Sequence, residues 1–334
     1  MAIKHIRTGL AVLATASVLA LAGCVHVGPV DEAAIAERAV ASVPITDGQT
    51  IVMATHSFNL PVGPAWTDRT FSERRNDGPL QALADEAGKE GHETRAVQMI
   101  GGSTPMQHWN QGGGDDTKNI AKVALDEGGV EVFTLSPNRI MPEPGIDLLA
   151  DYVIKTNPDA RILVQNSWSG WDGEGMTPAV GGKMEDITFV NADRDATTDE
   201  MIEGWVTSLN APNGYLEKLR TQLSGIDERA GKEITYVVPA AEAVYELRRR
   251  VIKGEVPGVE TQSEMFRDAI GHANEPVINL ITYTWFGVMY RQSPVGLTAL
   301  ENADDPTSAA REQLLQEIAW AAVLNEEKSG VTAD

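Results

Sequence analysis

Short apolar runs recur along this chain and alternate with segments whose apolar residues fall three and four positions apart. The first, Thr50-Ile51-Val52-Met53-Ala54-Thr55, has no polar residue inside it and favours a strand buried on both faces of a parallel sheet. Comparable runs at Thr94–Ile100, Val130–Leu135, Arg161–Asn166 and Ile234–Val238 predict four more strands. Between the first two, Leu80, Leu83, Ala84 and Ala87 are spaced for a helix over Pro79–Gly88, with a proline in its first turn. Further helices are expected at Asp116–Asp126, Gly145–Thr156, Glu200–Leu223 and Ala240–Ile252, the third of these split by Asn210-Ala211-Pro212-Asn213-Gly214. Strands alternating with helices at this spacing predict an α/β fold: a three-layer α/β/α sandwich around a central, mostly parallel five-stranded sheet.

The pattern is different at the start of the chain. Lys4 and Arg7 precede an apolar run from Gly9 to Ala22, shorter than the roughly 20 residues a spanning helix needs. Residues 1–23 are therefore expected to be an export signal. The run ends in Leu21-Ala22-Gly23-Cys24, which resembles a bacterial lipobox, and this implies lipidation of Cys24 and a protein held in the cell envelope. Cys24 is the only cysteine, so no disulfide can form within one molecule. Residues 24–47 then form a tether, 48–300 the main domain with an insertion near 168–199, and 301–334 a C-terminal helix and tail.

Composition narrows the partners. The formal net charge is −21, which repels phosphate backbones and argues against nucleic acid. The Arg248-Arg249-Arg250 run is expected on a solvated face near a helix C-terminus, where cations meet the negative end of the helix dipole.

In an open parallel sheet, chemistry collects at the carboxyl ends of the strands. Ser57 follows the first strand, Gly101-Gly102-Ser103 the second and Ser136-Pro137-Asn138 the third, while Asp268-Ala269-Ile270-Gly271-His272 lies beyond the fifth. A serine hydroxyl becomes a nucleophile when an imidazole accepts its proton and a carboxylate fixes the imidazole tautomer. Glycine-turn N–H groups and an asparagine amide can hold the oxyanion that results.

The order of these four blocks is similar to that of the SGNH hydrolases, also called GDSL-like esterases, over residues 50 to 297. The run from His272-Ala273-Asn274 through Tyr290 to Ser293-Pro294-Val295-Gly296-Leu297 also looks like that family's closing helix, with the histidine at its start. The resemblance implies a flavodoxin-like SGNH fold with Ser57 as nucleophile, Asp268 and His272 as acid and base, and Gly102 and Asn138 as oxyanion donors. It implies a serine esterase that needs no cofactor and acts on a small-molecule or carbohydrate ester outside the cytoplasm. The alternative is an inactive SGNH-like lipoprotein that binds polysaccharide or cell-wall material.

Three positions depart from the family pattern. His56 stands where an acid usually precedes the nucleophile, Asp268-x-x-x-His272 is one residue longer than the usual Asp-x-x-His, and Asn138 follows a proline, with Asn166 as a rival donor. His56, His108 and Asp115-Asp116 lack a metal-ligand spacing, so no metal is expected. Trp66, Trp109, Trp168 and Trp171 fall on loops near the strand ends, where they either line a substrate site or close loop cores.

Overall fold

A computed structural model describes residues 43–59, 78–138, 141–170, 176–177, 188–189, 193–268 and 270–331. Its centre is β1 (Thr50–Thr55), buried along all but its first residue because it has a parallel partner on each side. These partners are β2 (Glu93–Met99) and β3 (Val132–Leu135), and β4 (Arg161–Gln165) follows. A short antiparallel pair, β5 (Met176–Thr177) and β6 (Thr188–Phe189), stands apart, and β7 (Thr235–Val238) completes the main sheet. The sheet order is β2-β1-β3-β4-β7, with every pair parallel. The chain goes to one side of β1 to make β2 and returns to the other side for β3. The connections therefore diverge at the carboxyl ends of β1 and β3, which opens a crevice there.

The helices in chain order are α1 (Pro79–Glu86), α2 (Pro105–Trp109), α3 (Ile120–Asp126), α4 (Pro144–Thr156), α5 (Asp199–Leu209), α6 (Tyr215–Ala230), α7 (Ala240–Ile252), α8 (Glu275–Tyr290) and α9 (Ser308–Asn325). Alternation along the strands sends Ile51, Met53, Val132, Leu163 and Tyr236 to one face, where they pack on α1, α7, α8 and α9. Val52, Ala54, Phe133, Leu135, Val164 and Val237 face the other way, onto α3, α4 and α6. This is the three-layer sandwich with a five-stranded sheet, and here the sheet is wholly parallel.

α8 is buried almost all round, as expected of an apolar helix held between the sheet and another helix. Its polar side chains are paired: Trp285 Nε1 donates to Gln165 Oε1 at 2.7 Å, and Asn279 Nδ2 and Tyr283 Oη donate to the two oxygens of Glu312 on α9. Gly287 lets α9 come close, since a Cβ there would lie 3.1 Å from Val323 and 3.4 Å from Trp320. The segment 301–331 thus covers the core, and Lys328 adds to the sheet edge by accepting the Val237 N–H through its carbonyl at 2.8 Å.

The sequence expectations and the structure differ locally. The split in Glu200–Leu223 falls where expected, with Asn213 at a φ of 56°, but α6 continues to Ala230 and stops at Gly231 in the left-handed region. The closing helix begins at Glu275, so His272 is on the loop before it. The solvated-face reading fails for Arg248, which is fully buried and donates to Gln262 Oε1 at 2.6 Å. Its place on the core side of α7 outweighs its charge, because polar partners from the adjoining loop meet it there. Residues 1–23, Cys24, Trp66 and Trp171 lie outside the described residues, as does much of the 168–199 insertion. Among the described residues no helix is long and apolar enough to cross a membrane.

Candidate active site

β1 ends at Thr55 and delivers a tight turn into the crevice. The Asn59 N–H donates to the His56 carbonyl at 3.1 Å, and the Phe58 N–H donates to His56 Nδ1 at 3.2 Å. His56 must therefore carry its proton on Nε2, which has no partner among the described residues. Burial, and secondarily the nearby His272, push its pKa down to about 4, so the ring is neutral at physiological pH. It holds the turn through an acceptor nitrogen without placing a negative charge beside the nucleophile. This turn leaves Ser57 half-buried at the mouth of the crevice.

His272 arrives on a second closed turn. Phe266 and Ala273 form an antiparallel bridge, Arg267 N–H donates to the His272 carbonyl at 3.0 Å, and Asn274 N–H donates to the Met265 carbonyl at 2.9 Å. Inside this frame Asp268 Oδ1 accepts the N–H groups of Ile270 at 3.0 Å and His272 at 3.1 Å. Gly271, at a φ of +83°, turns the chain back in a conformation that side-chain-bearing residues rarely adopt. The longer Asp-x-x-x-His spacing is absorbed in this way: the acid closes its own turn and still has Oδ2 free for the ring.

Asp268 Oδ2 lies 2.5 Å from His272 Nδ1, and His272 Nε2 lies 2.8 Å from Ser57 Oγ across 215 residues of sequence. Burial raises the Asp268 pKa, but the bonds from the His272 ring, the His272 N–H and the Ile270 N–H outweigh it and hold the carboxyl below its ordinary value. An ionised Asp268 fixes the His272 proton on Nδ1 and leaves Nε2 to accept from Ser57. The three residues expected to be acid, base and nucleophile therefore form one continuous hydrogen-bonded chain.

The two expected oxyanion donors are adjacent to each other, though in different roles. Gly102 is exposed at a φ of 60°, and its N–H donates to no group among the described residues. Asn138 reaches over from the β3 loop, and its amide donates to the carbonyls of Gly102 at 3.1 Å and Ser103 at 3.2 Å. Asn138 thus braces the glycine turn, and both of its amide hydrogens are committed there. The rival Asn166 is a helix cap: its Oδ1 accepts the Ala241 N–H at 3.0 Å and its Nδ2 donates to Glu242 at 2.8 Å. α7 needs that cap because its own N-cap residue is Pro239, which has no side-chain acceptor.

The other residues singled out from the sequence have structural partners. His108 is buried between Ser103 Oγ at 2.7 Å and Gln98 Nε2 at 3.2 Å, and burial, then His56, push its pKa to about 3. Asp115 and Asp116 pair with Lys118 and Lys122, and the described residues contain no cluster of His, Cys, Asp and Glu suited to a metal. Trp109 packs on Tyr152 with the Lys122 ammonium 3.6 Å from its ring centre. Trp168 is buried and stacks on Phe58 at 4.6 Å and 3°, so of the two alternatives for it, closing a loop core is what the structure shows. Phe58 was not anticipated. Its ring also meets His272 edge-on at 5.7 Å and 88°, and its only sequence signal is an aromatic next to the nucleophile.

No family model matches this chain, and no curated protein does. It is similar to a solved DUF4886 family protein from Bacteroides uniformis at 10% identity and TM-score 0.45, over 83% of this chain and 95% of that one. It is also similar to a protein described as a GDSL-like lipase from Parabacteroides merdae, at 12% identity and TM-score 0.38, over 73% and 97% of the two chains. For an extracellular lipase from Streptomyces rimosus the values are 10% and 0.30, over 57% of this chain and 80% of that one.

Proposed function

We propose that this protein is a serine hydrolase of the SGNH type that cleaves esters through an acyl-enzyme. The observation that carries this reading is the unbroken relay from Asp268 through His272 to Ser57, with contacts of 2.5 and 2.8 Å. His272 Nε2 takes the Ser57 proton as Oγ attacks the ester carbonyl, and the developing imidazolium is held by Asp268. The tetrahedral oxyanion forms beside the glycine turn, where the Gly102 N–H is the candidate donor. As the intermediate collapses, His272 returns the proton to the departing alkoxide oxygen. Water then attacks the acyl-Ser57 ester and gives a proton to His272, which passes it to the leaving Ser57 Oγ as the acid is released.

The substrate class we propose is an acyl group on a carbohydrate or similar extracellular alcohol, met by a protein exported and anchored through lipidated Cys24. The test of the chemistry is labelling with a fluorophosphonate, which reacts only with an activated serine. Wild type is expected to label and Ser57→Ala to remain unlabelled. A folded wild type that does not label supports the alternative, a silent lipoprotein that binds polysaccharide, and overturns the esterase reading.

A further inference from the structure

The turn that carries Asp268 and His272 does not hold itself against the sheet. It docks on the segment after β4 through backbone contacts too close to admit a side chain. A Cβ on Gly170 would lie 2.3 Å from the Ile270 carbonyl oxygen, and one on Gly271 would lie 2.3 Å from the Gly170 carbonyl oxygen. Backbone carbonyls at so close a junction need donors. Trp168 Nε1 satisfies Gly271 at 3.1 Å. The Gly170 and Asp268 carbonyls are satisfied together by one group, Arg194 Nη2, at 2.9 and 3.1 Å.

Arg194 is 4% exposed. Its guanidinium carbon lies 4.5 Å from the centre of the Phe266 ring, the residue at the base of the acid-base turn. The segment that carries it is itself fastened to the stretch leading into the turn. Asp195 accepts the Ser263 N–H at 2.7 Å and the Ser263 hydroxyl at 2.8 Å, and the Thr197 carbonyl accepts from Gln262 Nε2 at 3.1 Å. A buried cation that bridges one carbonyl of the sheet side and one carbonyl of the acid residue fixes the distance between the two halves of the relay.

We infer that Arg194 is a positioning residue for the Asp268-His272 pair, setting the height of the acid-base turn over Ser57 through the backbone of Gly170 and Asp268. This rests on the hydrolase reading for its consequence in rate, but its effect on geometry does not. The planar guanidinium holds the two N–H groups of Nη2 in fixed, diverging directions toward the two carbonyls, whereas a lysine ammonium is a compact, strongly hydrated charge on a flexible stem. The role therefore belongs to arginine and is poorly replaced by lysine. A misplacement of about 1 Å at such a joint costs about 100-fold in rate.

The test uses the full chain in three forms: wild type, Arg194→Lys and Arg194→Ala. Two quantities are read, the rate of fluorophosphonate labelling and the far-downfield proton resonance of the His272 Nδ1–H bonded to Asp268, assigned by its absence in His272→Ala. The expected result is labelling slowed about 10- to 100-fold in Arg194→Ala, and less in Arg194→Lys, with the downfield proton lost or broadened in the same order. A double variant with Asp268→Asn should slow labelling little beyond Asp268→Asn alone, because Arg194 acts through that residue. Additive losses in the double variant, or a downfield proton unchanged in a folded Arg194→Ala, would overturn the inference. If wild type does not label but the resonance is lost in Arg194→Ala, the positioning role stands and the hydrolase reading falls.

Discussion

Asp268→Asn separates what the acid does for the turn from what it does for the base. Oδ1 accepts two backbone N–H groups, at 3.0 and 3.1 Å, and Oδ2 faces the ring at 2.5 Å. An asparagine keeps its oxygen on the two N–H donors, because its NH₂ group would clash with them electrostatically. The NH₂ is then aimed at His272 Nδ1, which can meet it only as an acceptor. The ring proton moves to Nε2, facing Ser57 Oγ, and the serine can no longer give up its own proton. The corresponding change in a serine protease triad costs about 10⁴-fold in turnover, and a loss of about 10³- to 10⁴-fold is expected here, about 4 to 5.5 kcal/mol in the barrier. Stability should barely change. Asp268→Ala removes the acceptor of the two backbone bonds as well, and water replaces it in part, so about 1–2 kcal/mol of stability and about 2–6 °C in Tm should go with the activity. The assays are hydrolysis of a short aryl ester and thermal unfolding of both variants. Asp268→Asn within about tenfold of wild type would refute the tautomer argument, and equal Tm losses in the two variants would refute the assignment of Oδ1 to the turn.

Three further outcomes follow from other parts of the molecule. His56, His92 and His108 are held neutral, with pKa values near 4, 4 and 3 set first by burial, so the unfolded chain binds more protons below pH 6.5; their contribution to stability is complete above that pH and lost as pH falls from about 6.5 towards 4. Tm measured from pH 7.5 to 4.5 should fall steeply over that window, and a flat profile to pH 5 would contradict it. Gly170→Ala forces a Cβ to within 2.3 Å of the Ile270 carbonyl oxygen and should lower stability by about 1–3 kcal/mol and slow fluorophosphonate labelling, whereas Gly204→Ala, with open space around it, should do neither. Cys24→Ala should abolish incorporation of labelled fatty acid during bacterial expression; retained label would refute the lipobox.

The sheet was legible because a strand buried on both faces must read as an uninterrupted apolar run, and Ile51–Thr55 does so without competition from a helical spacing. Ser57 could be placed at a strand end from topology, whereas Asp268 and His272 were named from an order of blocks that resembles the SGNH hydrolases. What escaped depends on contacts between distant segments. Asn166 looks like a donor at a strand end, but the nearest unsatisfied groups are the N–H groups of α7, left uncapped by Pro239 some seventy residues later. Arg248 looks solvated by its neighbours Arg249 and Arg250, and only the position of Gln262 and Thr197 makes its burial possible. α2 is too short for any periodicity to reveal, and it is held by the Thr104 N–H bond to Gln107 Oε1 at 2.9 Å. Arg194 sits in a segment whose sequence shows only a change of composition.

The bridge between Phe266 and Ala273 means that acid and base are mounted on one piece and the nucleophile on another. Loosening the piece alters the 2.8 Å gap to Ser57 first, and a shift of the Asp268 backbone then reaches the 2.5 Å bond to His272 as well. A unit of that kind tolerates changes of length inside it, provided that its ends still meet and its acid still closes the turn. The extra residue between Asp268 and His272 is taken up by the turn, and a spacing rule drawn from other chains would discard a hydrogen-bonded chain that is geometrically whole.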